Sequence, residues 1–251
     1  MSATPYTPGH SQNATDFMSV RSIQSHGQFF LPHLTSGVSV LDCGCGPGSI
    51  TLDIAALVAP GTVVGVDFGA SQIERAQSSA ARAGIANVNF QTADCYSLPF
   101  PDASFERVFS HALMEHLADP LRAATELYRV LKPGGVIGLC SPDWGGFVLA
   151  PPSAKLAEAS DAYTSLQTGN GGDVQVGRKL GTYLEAGGFK GIQMSARYEC
   201  YSSLSLIGEY LALQLEKQND LRSATTLREW SQVEGAMFAQ CWVSCIAFKR
   251  Q

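Results

Sequence analysis

"VSVLDCGCGPGSITLDIA", residues 38–55, is the most informative run in the chain. A short apolar stretch leads into Asp42, glycines follow at every second position (Gly44, Gly46 and Gly48), and a segment with helical spacing comes next. Glycine loses more backbone freedom on ordering than any other residue, so three in one turn need a reason. At the carboxyl end of a buried strand, Gly44 and Gly46 would leave room for a ligand lying against the backbone, where a Cβ would collide with it. Gly48 would let the following helix pack closely on the strand.

Strand-like and helix-like stretches alternate around this turn up to about residue 141. "VSVLDC" (38–43) and "GTVVGVD" (61–67) read as buried parallel strands, and "SITLDIAALV" (49–58) as a helix with Ile50, Ile54, Leu57 and Val58 on one stripe. "SQIERAQSSAARAG" (71–84) reads as a helix opened by a Ser71–Glu74 capping box and closed on Gly84. "NVNFQTAD" (87–94) and "SFERVFSH" (104–111) supply a third and fourth strand. "DPLRAATELYRVLKPGG" (119–135) has Asp119 at its N-cap, Pro120 in the first turn and a Pro-Gly-Gly stop, and "VIGLCSPD" (136–143) is a fifth strand. Five such alternations predict an α/β fold, a parallel sheet with helices on both faces.

After Asp143 the rhythm breaks. Residues 144–176 carry one helical segment near 153–167, "GRKLGTYLEAGGF" (177–189) gives another helix, and 203–233 is helical. Strands are expected at 190–201 and 236–250. The organisation expected is an N-terminal helical arm or lid, residues 1–36, on one domain, 37–251, with insertions near 144–176 and 203–233 that cover a pocket.

Composition narrows the function classes. With 17 basic against 22 acidic residues and a net charge of -5, there is no basic stripe for a phosphate backbone, so no nucleic-acid partner is expected. No apolar run approaches the ~18–20 residues of a spanning helix. The polar start "MSATPYTPGHSQNATDF" resembles neither a signal nor a transit peptide, so the expected location is cytoplasmic, away from membranes. The seven cysteines are scattered, and Cys43-x-Cys45 lacks the spacing of common zinc sites, so neither a disulfide framework nor a metal is expected.

The turn departs from the dinucleotide fingerprint G-x-G-x-x-G/A. Its spacing is G-x-G-x-G, and Pro47 removes an N–H that a phosphate would use. Asp42 would repel a pyrophosphate but suits a cationic amine. The ligand that fits has a positive amino-acid end, an uncharged bridge and a nucleoside. Asp67, 23 residues after Gly44, ends the second strand where a carboxylate can bind both ribose hydroxyls. Phe68 offers an apolar face to a base, and Asp94 and Cys95 follow the third strand near the expected adenine edge.

In "VLDCGCGPG" (40–48), "VVGVDFGASQIERAQ" (63–77), "ADCYSLPFPDASFERVFSHALMEHL" (93–117) and "DPLRAATELYRVLKPGGVIGL" (119–139), the chain resembles the class I S-adenosylmethionine-dependent methyltransferases. The likeness is to the small-molecule branch that includes the quinone-biosynthesis enzymes, and extends more loosely through 172–192. It implies a Rossmann-like, seven-stranded, mostly parallel sheet with helices on both faces and an antiparallel last strand, the closing hairpin formed by 190–201 and 236–250. It implies S-adenosylmethionine as methyl donor, S-adenosylhomocysteine as product, a small-molecule acceptor, and a monomer or homodimer. It carries Tyr6 and His10 of "YTPGHS" over the cofactor and pairs Arg21 with the methionyl carboxylate. Gln72, Ser110 and His111 join the cofactor-binding candidates.

Transfer from a sulfonium needs alignment and exclusion of water, and an acceptor that carries a proton also needs a base. The catalytic candidates are His111, Glu115 and His116 in "SHALMEHL"; on a helical turn His111 and Glu115 would be i, i+4 neighbours, with the carboxylate orienting the imidazole. Glu115 and His116 also suit a structural or cofactor-contact role. Trp144, Phe147, Tyr163, Tyr201, Tyr210, Trp230 and Met237 are candidates to face the acceptor, which predicts an apolar or aromatic molecule methylated on O, N or C. No Asp/Asn-Pro-Pro-Tyr signature of amino-group methylation follows the fourth strand. The alternative is a non-methyl reaction on the same scaffold, such as a cyclisation.

Overall fold

The computed structural model describes Thr7 and residues 12–251. Strands β1 (Val40–Cys43), β2 (Val63–Asp67), β3 (Val88–Thr92), β4 (Phe105–His111) and β5 (Leu131–Pro142) pair in parallel in the order β3-β2-β1-β4-β5. Beyond β5 lies β8 (Met237–Phe248), antiparallel to it, and β7 (Lys190–Cys200) pairs antiparallel with β8 on its other side. These seven strands have the expected directions. A short eighth, β6 (Val148–Ala150), pairs with the start of β8. Strand order reverses between β1 and its neighbours β2 and β4, the place where open α/β sheets bind ligands at their carboxyl ends.

Helix α3 (Ser49–Val58) follows β1, α4 (Ala70–Ala83) follows β2 and α5 (Pro120–Val130) precedes β5. Asp119 caps α5 as expected, its side chain accepting from Arg122 N, and left-handed Gly84 ends α4. Three local expectations change. Helix α4 is capped at Gly69 rather than Ser71, because the Asp67 carboxylate just upstream holds Gly69 N. Leu57 lies off the buried stripe of α3, where Ile50, Ile54 and Val58 pack. Strand β5 begins at Leu131 and runs through Pro-Gly-Gly, so α5 stops before those residues.

Helices α1 (Gln12–Ser19) and α2 (Ile23–His26), then a 3-10 turn at Gln28–His33, form the described part of the arm. Ile23 and Phe30 join Ile54 and Phe109 in the core on one face of the sheet. Helices α5 and α7 (Leu180–Ala186) cover the other face, with Leu127, Leu139, Leu184 and Phe189 fully buried. A separate core joins α1 to α6 (Ala154–Gly169), α8 (Leu204–Glu216) and α9 (Leu221–Trp230) through Phe17, Tyr163, Tyr210, Trp230 and Phe238. Residues 203–233 thus form two helices, the second capped by Asp220. Among the described residues no helix is long and apolar enough to cross a membrane.

Candidate functional site

All three glycines of the β1–α3 turn have positive φ: +78° at Gly44, +54° at Gly46 and +84° at Gly48. A Cβ at Gly48 would lie 2.9 Å from Ala76 Cβ and 2.9 Å from the Phe90 ring, so this glycine seats α3 against α4 and β3. A Cβ at Gly44 would press on Leu113 at 3.1 Å. At Gly46 the only neighbour within 4 Å among the described residues would be Met18 Sδ, at 3.9 Å. Open ground therefore lies over Gly46, roofed by α1.

Asp67 at the end of β2 accepts from Gly46 N at 2.9 Å and Gly69 N at 2.8 Å, fixing its carboxylate beside the glycine turn. Phe68 next to it is 70% exposed. Asp42 is buried, with Oδ2 accepting from Thr51 Oγ1 at 2.6 Å, and burial pushes its carboxyl up to about 7. Asp94 is exposed after β3 and accepts from Tyr96 N; beside it, burial raises the Cys95 thiol to about 12. A phosphate-free nucleoside with a cationic tail fits this set: a bare backbone at Gly46, acids at two strand ends and an exposed ring.

Two cofactor candidates are occupied with other parts of the protein. The hydroxyl of Ser110, 1% exposed, donates to Cys43 O and ties β4 to β1. Gln72 is equally buried and donates to Thr15 Oγ1 at 3.3 Å, tying α4 to α1. Tyr6 and His10 lie outside the described residues.

Beside this turn, also at the carboxyl ends of the strands, is a cavity of about 50 Å³. Its walls are aromatic, from Phe17, Trp144, Tyr163, Tyr201, Tyr210 and Trp242, and its polar lining is Arg21, Glu115, His116, Gln167 and Gln240. Four of the seven aromatic and Met candidates are brought together here. Phe147 instead packs against the helical core, Trp230 is buried with Nε1 donating to Ala150 O, and Met237 is exposed at the start of β8.

Glu115 and His116 reach the cavity from a 3-10 turn, Met114–His116, with Nε2 of the histidine 3.7 Å from Oε1 of the glutamate. Burial acts on both, raising the Glu115 carboxyl to about 7 and lowering the His116 imidazole to about 3, so the histidine is neutral. His111 corrects the helical-turn expectation. It is the last residue of strand β4, so no i, i+4 register joins it to Glu115. Its ring lies behind the cavity, 4.5 Å from Trp242 and 5.0 Å from His26, and burial drives its pKa far down. His26 in turn stands 3.0 Å from Glu199 on β7.

The guanidinium of Arg21 lies 5.2 Å from the Phe17 ring and 5.4 Å from the Trp242 ring. Phe17 stacks on Tyr210 at 4.5 Å while its neighbour Met18 roofs Gly46, so one short helix borders both the turn and the cavity. Sequence reasoning missed Phe17, Met18, Gln167, Gln240 and Trp242. A polar Gln240 inside the apolar run of β8 was the available signal. All seven cysteines are free, and among the described residues no group of three or more His, Cys, Asp or Glu could hold a metal ion.

Comparison with known proteins agrees with this geometry. A family described as a methyltransferase domain matches residues 34–188, more than half of the chain. A demethylmenaquinone methyltransferase of Lactiplantibacillus plantarum is 40% identical over 104 residues, 41% of this chain and 44% of that protein. A 27-O-demethylrifamycin SV methyltransferase of Amycolatopsis mediterranei is 34% identical over 139 residues, 55% of this chain and 48% of that protein. The chain spans about half or less of the length of the curated relatives it matches. The crystal structure of YcgJ from Bacillus subtilis superposes with a TM-score of 0.65 at 23% identity, over 89% of this chain and 97% of that one, a likeness of fold. With the family matched over most of the parallel sheet and the glycine turn at its switch point, this chain belongs to the class I S-adenosylmethionine-dependent methyltransferases.

Proposed function

We propose that the protein transfers a methyl group from S-adenosylmethionine to a small, apolar or aromatic acceptor held in the cavity beside the glycine turn. The observation that carries this is the adjacency made by α1: Met18 stands over Gly46 while Phe17 and Arg21 wall the cavity. When bound, the donor supplies a methyl activated by its sulfonium.

The chain's own groups do the rest. Asp67 holds the ribose hydroxyls, Phe68 lies against the base, and Asp94 and Cys95 border its edge. Asp42, below the turn, answers the cationic amine, and Arg21 supplies positive charge for the carboxylate of the same tail. Aromatic walls exclude water from the acceptor. Glu115, at about 7, is half ionised near neutral pH and so suited to take a proton from the acceptor. Neutral His116 beside it positions that carboxylate. At about 50 Å³ the closed cavity is well below the ~150 Å³ that holds a benzene ring, so binding requires the α1 wall to withdraw and return.

Incubation with methyl-labelled S-adenosylmethionine and a panel of phenols, quinones, amines and carboxylic acids tests this. Label in a product, with S-adenosylhomocysteine in equal amount, is the expected result. Turnover of an acceptor without S-adenosylhomocysteine would overturn it in favour of another reaction on the same scaffold.

A further inference from the structure

Polar groups that persist unpartnered in a buried wall indicate what the wall is built to meet. Among the described residues, three such atoms belong to residues lining this cavity: Nε2 of Gln240, Nε1 of Trp242 and Oε2 of Glu115, each in a residue no more than 3% exposed. The Glu115 carboxylate is accounted for above. Gln240 and Trp242 are not, and they form a set of their own. They stand two apart on β8 and so share a face of the strand, opposite Glu199 and Arg197 of β7. An indole N–H can only donate. Tyr201 stands beside Trp242, yet the indole N–H completes no hydrogen bond among the described residues.

We propose that Gln240 and Trp242 are specificity residues of the cavity. Their side-chain N–H groups hold an anionic or carbonyl oxygen of the acceptor, so the site takes hydroxy- and carboxy-arenes and turns away aryl ammonium ions. Two donors complement such an oxygen, and the same two groups oppose an ammonium, which brings only donors of its own. The aromatic walls receive the ring. This rests on reading the cavity as the acceptor site. It adds a chemical class that the aromatic lining alone does not specify.

The test is a calorimetric titration of benzoate and of benzylamine, matched in size and opposite in charge, with and without saturating S-adenosylhomocysteine. Benzoate should bind at least tenfold more tightly. Q240L and W242F should each weaken benzoate five- to twentyfold while leaving the affinity for S-adenosylhomocysteine within twofold. Because Trp242 also packs on His26 and His111, Q240E supplies a change that misfolding cannot mimic, an inversion of preference towards benzylamine. Equal binding of the two probes, binding of neither, or benzoate affinity unmoved by Q240L would overturn the proposal. Failure to bind S-adenosylhomocysteine would instead overturn the methyl-transfer reading, and the benzoate titration of the protein alone separates the two.

Discussion

The two ends of this site are built by different means. On the β1–β4 side the main chain does the positioning: three left-handed glycines, a carboxylate pinned by two backbone N–H groups, and residues fixed by where strands stop. On the side of β5, β8 and the helices, side chains from six separated segments converge, among them Phe17, Glu115, Trp144, Tyr163, Tyr210 and Trp242. A turn made by backbone geometry tolerates few residue types and so leaves a mark in the sequence. A wall made by packing admits many apolar residues at each position and leaves almost none.

If that contrast is right, the largest effect comes from the main-chain side. Gly48→Val forces a β-branched residue into φ +84° and drives its Cβ into Ala76 and the Phe90 ring. Left-handed strain and overpacking together cost about 2–5 kcal/mol. The urea midpoint should drop accordingly, and binding of S-adenosylhomocysteine should fall beyond a hundredfold. Binding within threefold of wild type would show that the turn is not the cofactor seat.

Next in size is Glu115→Gln, which keeps shape and removes the proposed base. We expect kcat to fall about a hundredfold, the low end for general-base catalysis, with cofactor affinity nearly unchanged. The pH dependence carries its own sign. Burial raises the folded-state carboxyl to about 7, so the active, ionised form is depleted below that value. The wild-type rate should climb from pH 6 to 8 and level off above, and the Gln variant should lose this limb. A variant with full rate and an intact profile would reduce Glu115 to a wall residue. Asp67→Ala is smaller, an expected tenfold loss in calorimetric affinity for S-adenosylhomocysteine. Unchanged affinity would remove the ribose assignment while leaving the turn itself in place.

The same contrast explains what could be read from the sequence. The succession of strands and helices up to Asp143, α3 to the residue and the Asp119 cap follow from periodicity and punctuation, which are local, whereas the closing hairpin was legible only through the family resemblance. Ser110 and Gln72 show that the same polar side chains that can serve ligands also serve as interior ties: Ser110 fastens β4 to β1, and Gln72 fastens α4 to α1. The spacing of "SHALMEHL" predicts a helical turn at His111, yet the chain there finishes strand β4 in register with β5 before a 3-10 turn begins. Gln240 and Trp242 meet Arg21 across more than 200 residues of chain, a juxtaposition that no local pattern encodes.

The smallest expected effect tests whether the two sides are joined at all. Phe17 stacks on Tyr210 at 4.5 Å and on Tyr201 at 5.7 Å, and the next residue roofs Gly46. An aromatic pair of this kind contributes about 0.5–1.5 kcal/mol beyond its buried area, which corresponds to roughly two- to tenfold in an equilibrium. Phe17→Leu keeps an apolar side chain and removes the stack, so the docked position of α1 should lose occupancy. Because that one helix borders both proposed ligand sites, the Kd for S-adenosylhomocysteine and the KM for acceptor should rise together, each by about threefold. A rise in KM alone would mean that Phe17 is only a wall of the cavity and that Met18 holds its place without it. Equal and parallel rises would make α1 the element through which a backbone-built site and a side-chain-built site close as one.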